Sequence, residues 1–169
     1  FINAIQKNKK PDVSLRDGLM SVAIGEAAEN SIVEKRVVFM GDSITEEWSN
    51  LYPDYFNMNG YINRGIGGQT TPQMLIRFKP DVIDLEPDIV VILAGTNDIA
   101  GNTGPSTVRM ITDNIFSMAE IAKVHEIKVV LSSILPVYEY EWAAEIKDPP
   151  SIIDSVNDAL KKYANDNRM

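Results

Sequence analysis

Short apolar runs of strand length alternate along this chain with stretches in which apolar residues recur every three or four positions. Val37-Val38-Phe39-Met40 is the first run, continuous as expected of a strand buried on both faces. Tyr61-Ile62, Asp88 to Leu93 and Ile127 to Leu131 are the others. Between them the spacing predicts helices from Ile44 to about Asn50 and from Thr71 onward, the latter opened by Pro72 at a favoured first-turn position. A long helix is expected after Gly104-Pro105-Ser106, with Ile111, Ile115, Met118 and Ala122 as its apolar stripe. Pro150-Ser151 starts a last one, carrying Ile153, Val156, Leu160 and Tyr163. Ahead of the first strand, Pro11 to Ser14 offers another helix start, followed by Leu15, Leu19, Val22, Ala23 and Ala27. This alternation predicts an α/β fold: a parallel sheet with right-handed crossovers and helices on both faces.

Composition narrows the classes. A chain of 169 residues with 44% hydrophobic and 24% charged residues can bury the core of one ordinary domain. The net charge of −8 argues against a nucleic-acid partner, whose phosphates need a basic footprint. No apolar run approaches the length of a membrane span. Phe1 to Lys10 is polar and basic, without the apolar centre of a signal peptide; a matured chain would share this feature, and the pattern leaves secretion open. Without cysteine there is no disulfide, thiolate nucleophile or thiolate metal site, and only one histidine, His125, is present.

Three loops then attract attention because each follows the carboxyl end of a strand, where ligands bind in open α/β sheets. In Gly41-Asp42-Ser43-Ile44-Thr45, Gly41 lets the chain turn and Ser43 opens a helix. Ser43 is either a nucleophile beside the helix's unpaired N–H groups or simply the cap of that helix. Asn63-Arg64-Gly65-Ile66-Gly67-Gly68-Gln69-Thr70 is a loop whose backbone approaches something closely. It lacks the Gly-Lys-Ser/Thr of a phosphate loop and the glycine spacing of a dinucleotide site. In Gly95-Thr96-Asn97-Asp98, Asn97 is either an amide donor to a developing oxyanion or an Asn turn bonded to its own backbone. A fourth connection, Ser132 to Pro149, carries Tyr138, Tyr140 and Trp142, suited equally to lining a substrate cleft and to packing the loop.

Taken together and in order, these three blocks resemble the first three sequence blocks of the SGNH (GDSL-type) esterase family over about residues 36–165. The resemblance implies a flavodoxin-like three-layer α/β/α sandwich. It implies Ser43 as nucleophile, with the Ser43 and Gly68 N–H groups and the Asn97 side chain as oxyanion donors. It also implies hydrolysis of acyl esters, often acetyl, on carbohydrates or lipids, with no cofactor. The family's last block, Asp-x-x-His, supplies the general base and its orienting acid, and no Asp-x-x-His occurs in this chain. His125 precedes the last strand and so falls on the edge of the sheet opposite Ser43. A strand of five or six residues spans about 17–20 Å, whereas a base must approach within about 3 Å. The expectation is therefore a domain at 36–169 lacking its last block, impaired as an esterase on its own. Its oligomeric state is open, an unfinished sheet edge being an invitation to pair.

Residues 1–35 are expected to be a separate helical segment. The wording from Pro11 to Ala28 resembles the carboxyl-terminal helix of the glucose–fructose oxidoreductase/inositol dehydrogenase family, which marks the chain as a candidate fusion. No dehydrogenase function carries over. Two rival readings remain for the larger part. One is a non-catalytic relative keeping the oxyanion pocket. The other is a flavodoxin-like receiver or flavin domain, for which Asp42 and Asp98 are the obvious acidic candidates.

Overall fold

The computed structural model describes residues 35–169, so the expected N-terminal helix and its boundary lie outside the described residues. Strands β1 (Val37–Gly41), β2 (Ile62–Gly65), β3 (Ile89–Leu93) and β4 (Lys128–Leu131) form one parallel sheet in the order β2-β1-β3-β4. The order reverses at β1, because β2 lies on one side of it and β3 on the other. Such a reversal opens a crevice at the carboxyl ends of the central strands.

Among the described residues, six α-helices connect and follow the strands: α1 (Ser43–Leu51), α2 (Pro53–Asn59), α3 (Thr71–Asp81), the single turn α4 (Thr96–Ile99), α5 (Val108–Val124) and α6 (Pro149–Asp166). Because side chains alternate across a strand, the sheet sorts them into two layers. Val38, Met40, Val90, Ile92 and Val129 enter one buried core with Met74 and Phe78 of α3, Ile111, Ile115 and Met118 of α5, and Ile153, Val156 and Leu160 of α6. Phe39, of opposite parity, meets Trp48, Phe56 and Tyr61 edge-on or tilted at centroid distances of 5.4, 5.4 and 5.3 Å. α1 and α2 thus cover the other face over β1 and β2. The three-layer α/β/α arrangement is as expected.

Local chemistry shifts some boundaries. α2 has no counterpart in the periodicity; Pro53 starts it, and Gly60 ends it in the left-handed conformation at φ 64°. α5 begins at Val108 rather than at Gly104-Pro105-Ser106, because Thr107 is the cap, its hydroxyl accepting from the Met110 N–H at 3.2 Å. α6 begins one residue before Pro150, with the Asp148 side chain accepting from the Ser151 N–H. Ser132 to Asp148 forms no regular element.

Candidate active site

The strand register sets the height of the site. Gly41 stands opposite Gly65 on one side and Leu93 on the other, so three loops leave the sheet at one level. Ser43 is the first residue of α1 and half-buried. It does not cap that helix: Asp42 does, its Oδ1 accepting from the Ile44 N–H at 2.9 Å. Among the described residues no hydrogen-bond partner is found for the Ser43 hydroxyl, which a capping role would have engaged.

The β2–α3 loop is drawn onto this turn. Asn63 bridges the two, donating from Nδ2 to the Thr45 carbonyl at 2.5 Å and accepting the Gly65 N–H at 2.7 Å. A side chain at Gly65 would put its Cβ 2.2 Å from the Glu46 nitrogen and 2.7 Å from the Asp42 oxygen, so only glycine permits this approach. The Gly67 N–H donates to Glu46 Oε2 at 2.8 Å, and a Cβ on Gly67 would lie 3.8 Å from that of Ser43. Arg77 of α3 ties the base of both loops, donating to the Gly41 carbonyl at 3.1 Å, Gln69 Oε1 at 2.5 Å and Asp81 at 2.6 Å. Gly68 follows, exposed and at φ 73°.

Asn97 closes the cluster from β3. It is 4% exposed and is no Asn turn. Its Nδ2 donates to the Gln69 carbonyl at 3.0 Å, and its Oδ1 accepts from Asn102 Nδ2 at 3.1 Å. One carboxamide hydrogen therefore remains for a ligand. The same Asn102 nitrogen donates to the Gly68 carbonyl at 3.1 Å. Asp98, next in sequence, is buried and anchors the start of α3, accepting from the Thr71 N–H (2.9 and 3.1 Å) and from its hydroxyl (2.6 Å). Asn114 in turn donates to that hydroxyl at 3.0 Å.

Burial pushes the Asp98 carboxyl above its ordinary range, against the bonds from Thr71. Burial also raises Asp42, against the Ile44 N–H and with a further contribution from the Asp98 charge. Both acids face inward and serve the loops' shape.

His125 is exposed at the end of α5, just before β4, on the amino edge of the sheet. Of the aromatic connection, Tyr140 is core, 2% exposed, its hydroxyl 3.0 Å from Thr96 Oγ1. Tyr138 and Trp142 are exposed, and Trp142 reaches the cluster, its Nε1–H donating to Asn102 Oδ1 at 3.3 Å. Asn102, Asn63, Arg77 and Asn114 escaped the sequence reading, because each acts through contacts far along the chain. Asn102 alone had a local sign, as a polar residue in a glycine-flanked turn just after the third block. Among the described residues no three His, Asp or Glu side chains converge as a metal site, and no helix is long and apolar enough to cross a membrane.

A serine, a glycine loop and a buried carboxamide are thus gathered at the carboxyl edge of a parallel sheet, in a protein of the α/β class. More particularly, the chain belongs to the GDSL-like Lipase/Acylhydrolase family, whose sequence model matches residues 39–169. A crystal structure of a provisionally named acylhydrolase from Bacteroides fragilis NCTC 9343 is 55% identical with a TM-score of 0.79, over 81% of this chain and 66% of that one. A GDSL-like lipase from Bacteroides thetaiotaomicron VPI-5482 is 51% identical, also at 0.79, over 86% of this chain and 74% of its own. Uncharacterized lipoprotein YqeF of Bacillus subtilis (strain 168) is 34% identical over 99 residues, 56% of this chain and 40% of that protein.

Proposed function

We propose that Ser43 is the nucleophile of an acyl-ester hydrolase. Its Oγ attacks the ester carbonyl carbon, and the oxyanion is met by the Ser43 and Gly68 N–H groups and the free Asn97 Nδ2 hydrogen. The C–O bond to the alcohol then breaks, the serine proton leaves with the alcohol, and water later cleaves the acyl-serine. The substrate class is an acyl ester of a carbohydrate or lipid, with acetyl as the acyl group. The observation that carries this reading is the Ser43 hydroxyl, half-buried at the carboxyl edge, relieved of capping by Asp42 and bounded by the Gly67-Gly68 loop.

The base is the weak point of this chain. Its one histidine is exposed at the other edge of β4, roughly 13 Å away along a four-residue strand. Loss of the base in such a triad costs about 10⁴ to 10⁶ in turnover. Acylation by an activated ester should therefore be slow and deacylation slower still, so that acetyl-enzyme accumulates. That same histidine placement favours a second reading, a binding module that retains the pocket without turnover.

The test is intact-mass analysis after p-nitrophenyl acetate, beside steady-state hydrolysis by this chain and by the longest product of its gene. One acetyl group on Ser43, absent in Ser43→Ala, with turnover only in a longer product, supports the esterase. In an active form, Asn97→Ala should lower turnover about 10²- to 10³-fold. No acylation and no turnover in any form leaves the binding module.

A further inference from the structure

Asn102 commits both amide hydrogens of its side chain, and its oxygen, to the site. One Nδ2 hydrogen goes to the Gly68 carbonyl and the other to Asn97 Oδ1, both at 3.1 Å, while Oδ1 receives the Trp142 Nε1–H at 3.3 Å. Its orientation has no alternative. The indole N–H can only donate and the Gly68 carbonyl can only accept, so exchanging Oδ1 and Nδ2 would oppose like with like at all three contacts. That choice propagates. With Asn102 presenting a donor, Asn97 turns its oxygen toward it, the same orientation that the Gln69 carbonyl, able only to accept, favours from the other side. The Asn97 Nδ2 then lies on the other side, with one hydrogen on the Gln69 carbonyl and one unspent. The backbone closes the unit, the Asn102 N–H donating to the Asn97 carbonyl at 3.0 Å.

We infer that Asn102 is the positioning residue of the oxyanion site, setting the orientation of Asn97 and clamping the Gly68 loop, with its own orientation fixed by Trp142. Its importance for catalysis rests on Asn97 and Gly68 being the oxyanion donors; its positioning role does not. Trp142 is 66% exposed, and the connection between β4 and α6 reaches Asn102 through its indole N–H. An alcohol group that settles against this indole bears on the donors through Asn102.

The test has two arms, using Asn102→Ala, Trp142→Phe and Asn97→Ala in the full chain. In the first, ¹⁵N-labelled protein is used to follow exchange of the Asn97 side-chain amide hydrogens. Asn102→Ala should speed that exchange at least tenfold and Trp142→Phe should have a smaller effect in the same direction, with urea midpoints close to the parent's. Unchanged exchange in Asn102→Ala overturns the positioning role. In the second, nitrophenolate release reports acylation of Ser43. Asn102→Ala should lower the maximal rate about tenfold, less than loss of a donor itself, with half-saturation unchanged. Its penalty should shrink in the Asn97→Ala background, as for residues acting through one another. An unchanged maximal rate, or full additivity, overturns the link to catalysis. Altered amide exchange in a chain whose Ser43 is never acylated upholds the positioning and refutes the proposed function instead.

Discussion

Gly65→Ala tests whether the site is held by backbone contact. The added Cβ would stand 2.2 Å from the Glu46 nitrogen and 2.7 Å from both the Asp42 oxygen and the Thr45 carbonyl carbon. Ordinary carbon contacts begin near 3.5 Å, so β2 and the first turn of α1 must separate by about 1 Å. None of the three atoms belongs to a side chain that can swing aside. Separation also strains the bond from Asn63 Nδ2 to the Thr45 carbonyl, which joins the same segments at 2.5 Å. Overpacking of this kind costs about 1–3 kcal/mol, and the backbone collision puts this case at the upper end. With a urea slope of about 1–3 kcal/mol/M, the midpoint should fall by about 1–3 M. Gly60→Ala is the control: its φ of 64° is unfavourable for alanine, yet nothing lies within 4 Å, so about 1–2 kcal/mol is expected. A Gly65→Ala midpoint within error of the parent, or above that of Gly60→Ala, would refute the close-contact argument.

Two further outcomes are expected. Asp42 binds its proton more tightly folded than unfolded, so its contribution is fully present below its ordinary value of 3.8 and is lost as pH rises through the raised folded value. Asn at this cap keeps an acceptor for the Ile44 N–H and does not titrate. Asp42→Asn should therefore gain stability relative to the parent as pH rises from about 3.8, in urea melts across the acid range; a flat difference would contradict the buried-carboxyl assignment. Thr71→Val strips the buried Asp98 of its hydroxyl partner and leaves Asn114 Nδ2 without one, for a loss of about 2–3 kcal/mol. It should also raise the Asp98 pKa further, read by carbon NMR of the carboxyl. An unchanged stability or a lowered pKa would refute the network.

The legible parts of this chain were those written locally. Continuous apolar runs such as Ile89–Leu93 and the helical stripe of Ile111, Ile115, Met118 and Ala122 marked the sheet and its longest crossover, and their alternation fixed the parallel topology. Three loops at strand ends marked the neighbourhood of the site. What the sequence could not supply was which polar side chain partners which. The choice between Ser43 and Asp42 as cap turns on backbone angles at adjacent residues. The partnership of Thr71 with Asp98 and Asn114 joins three elements, and the role of Asn102 depends on Trp142, 40 positions later. Tyr138, Tyr140 and Trp142 share one loop and similar chemistry, yet one is core and two are surface, because no periodic element dictates their direction.

Of the two tryptophans of the chain, one lies in the helix that opens at Ser43 and the other touches Asn102. Trp48 lies within α1, stacked on Tyr55 at 5.7 Å and edge-on to Phe39 and Phe56; Trp142 is largely in water and tethered to Asn102. Their emission should differ accordingly, with Trp142 the redder and the more open to quenching by iodide. Replacing either with phenylalanine leaves a single-tryptophan protein, read by selective excitation of the indole. The Trp48 form reports the seating of the helix that carries Ser43, and the Trp142 form reports events at Asn102, so the molecule carries built-in optical probes for watching the two separately in real time.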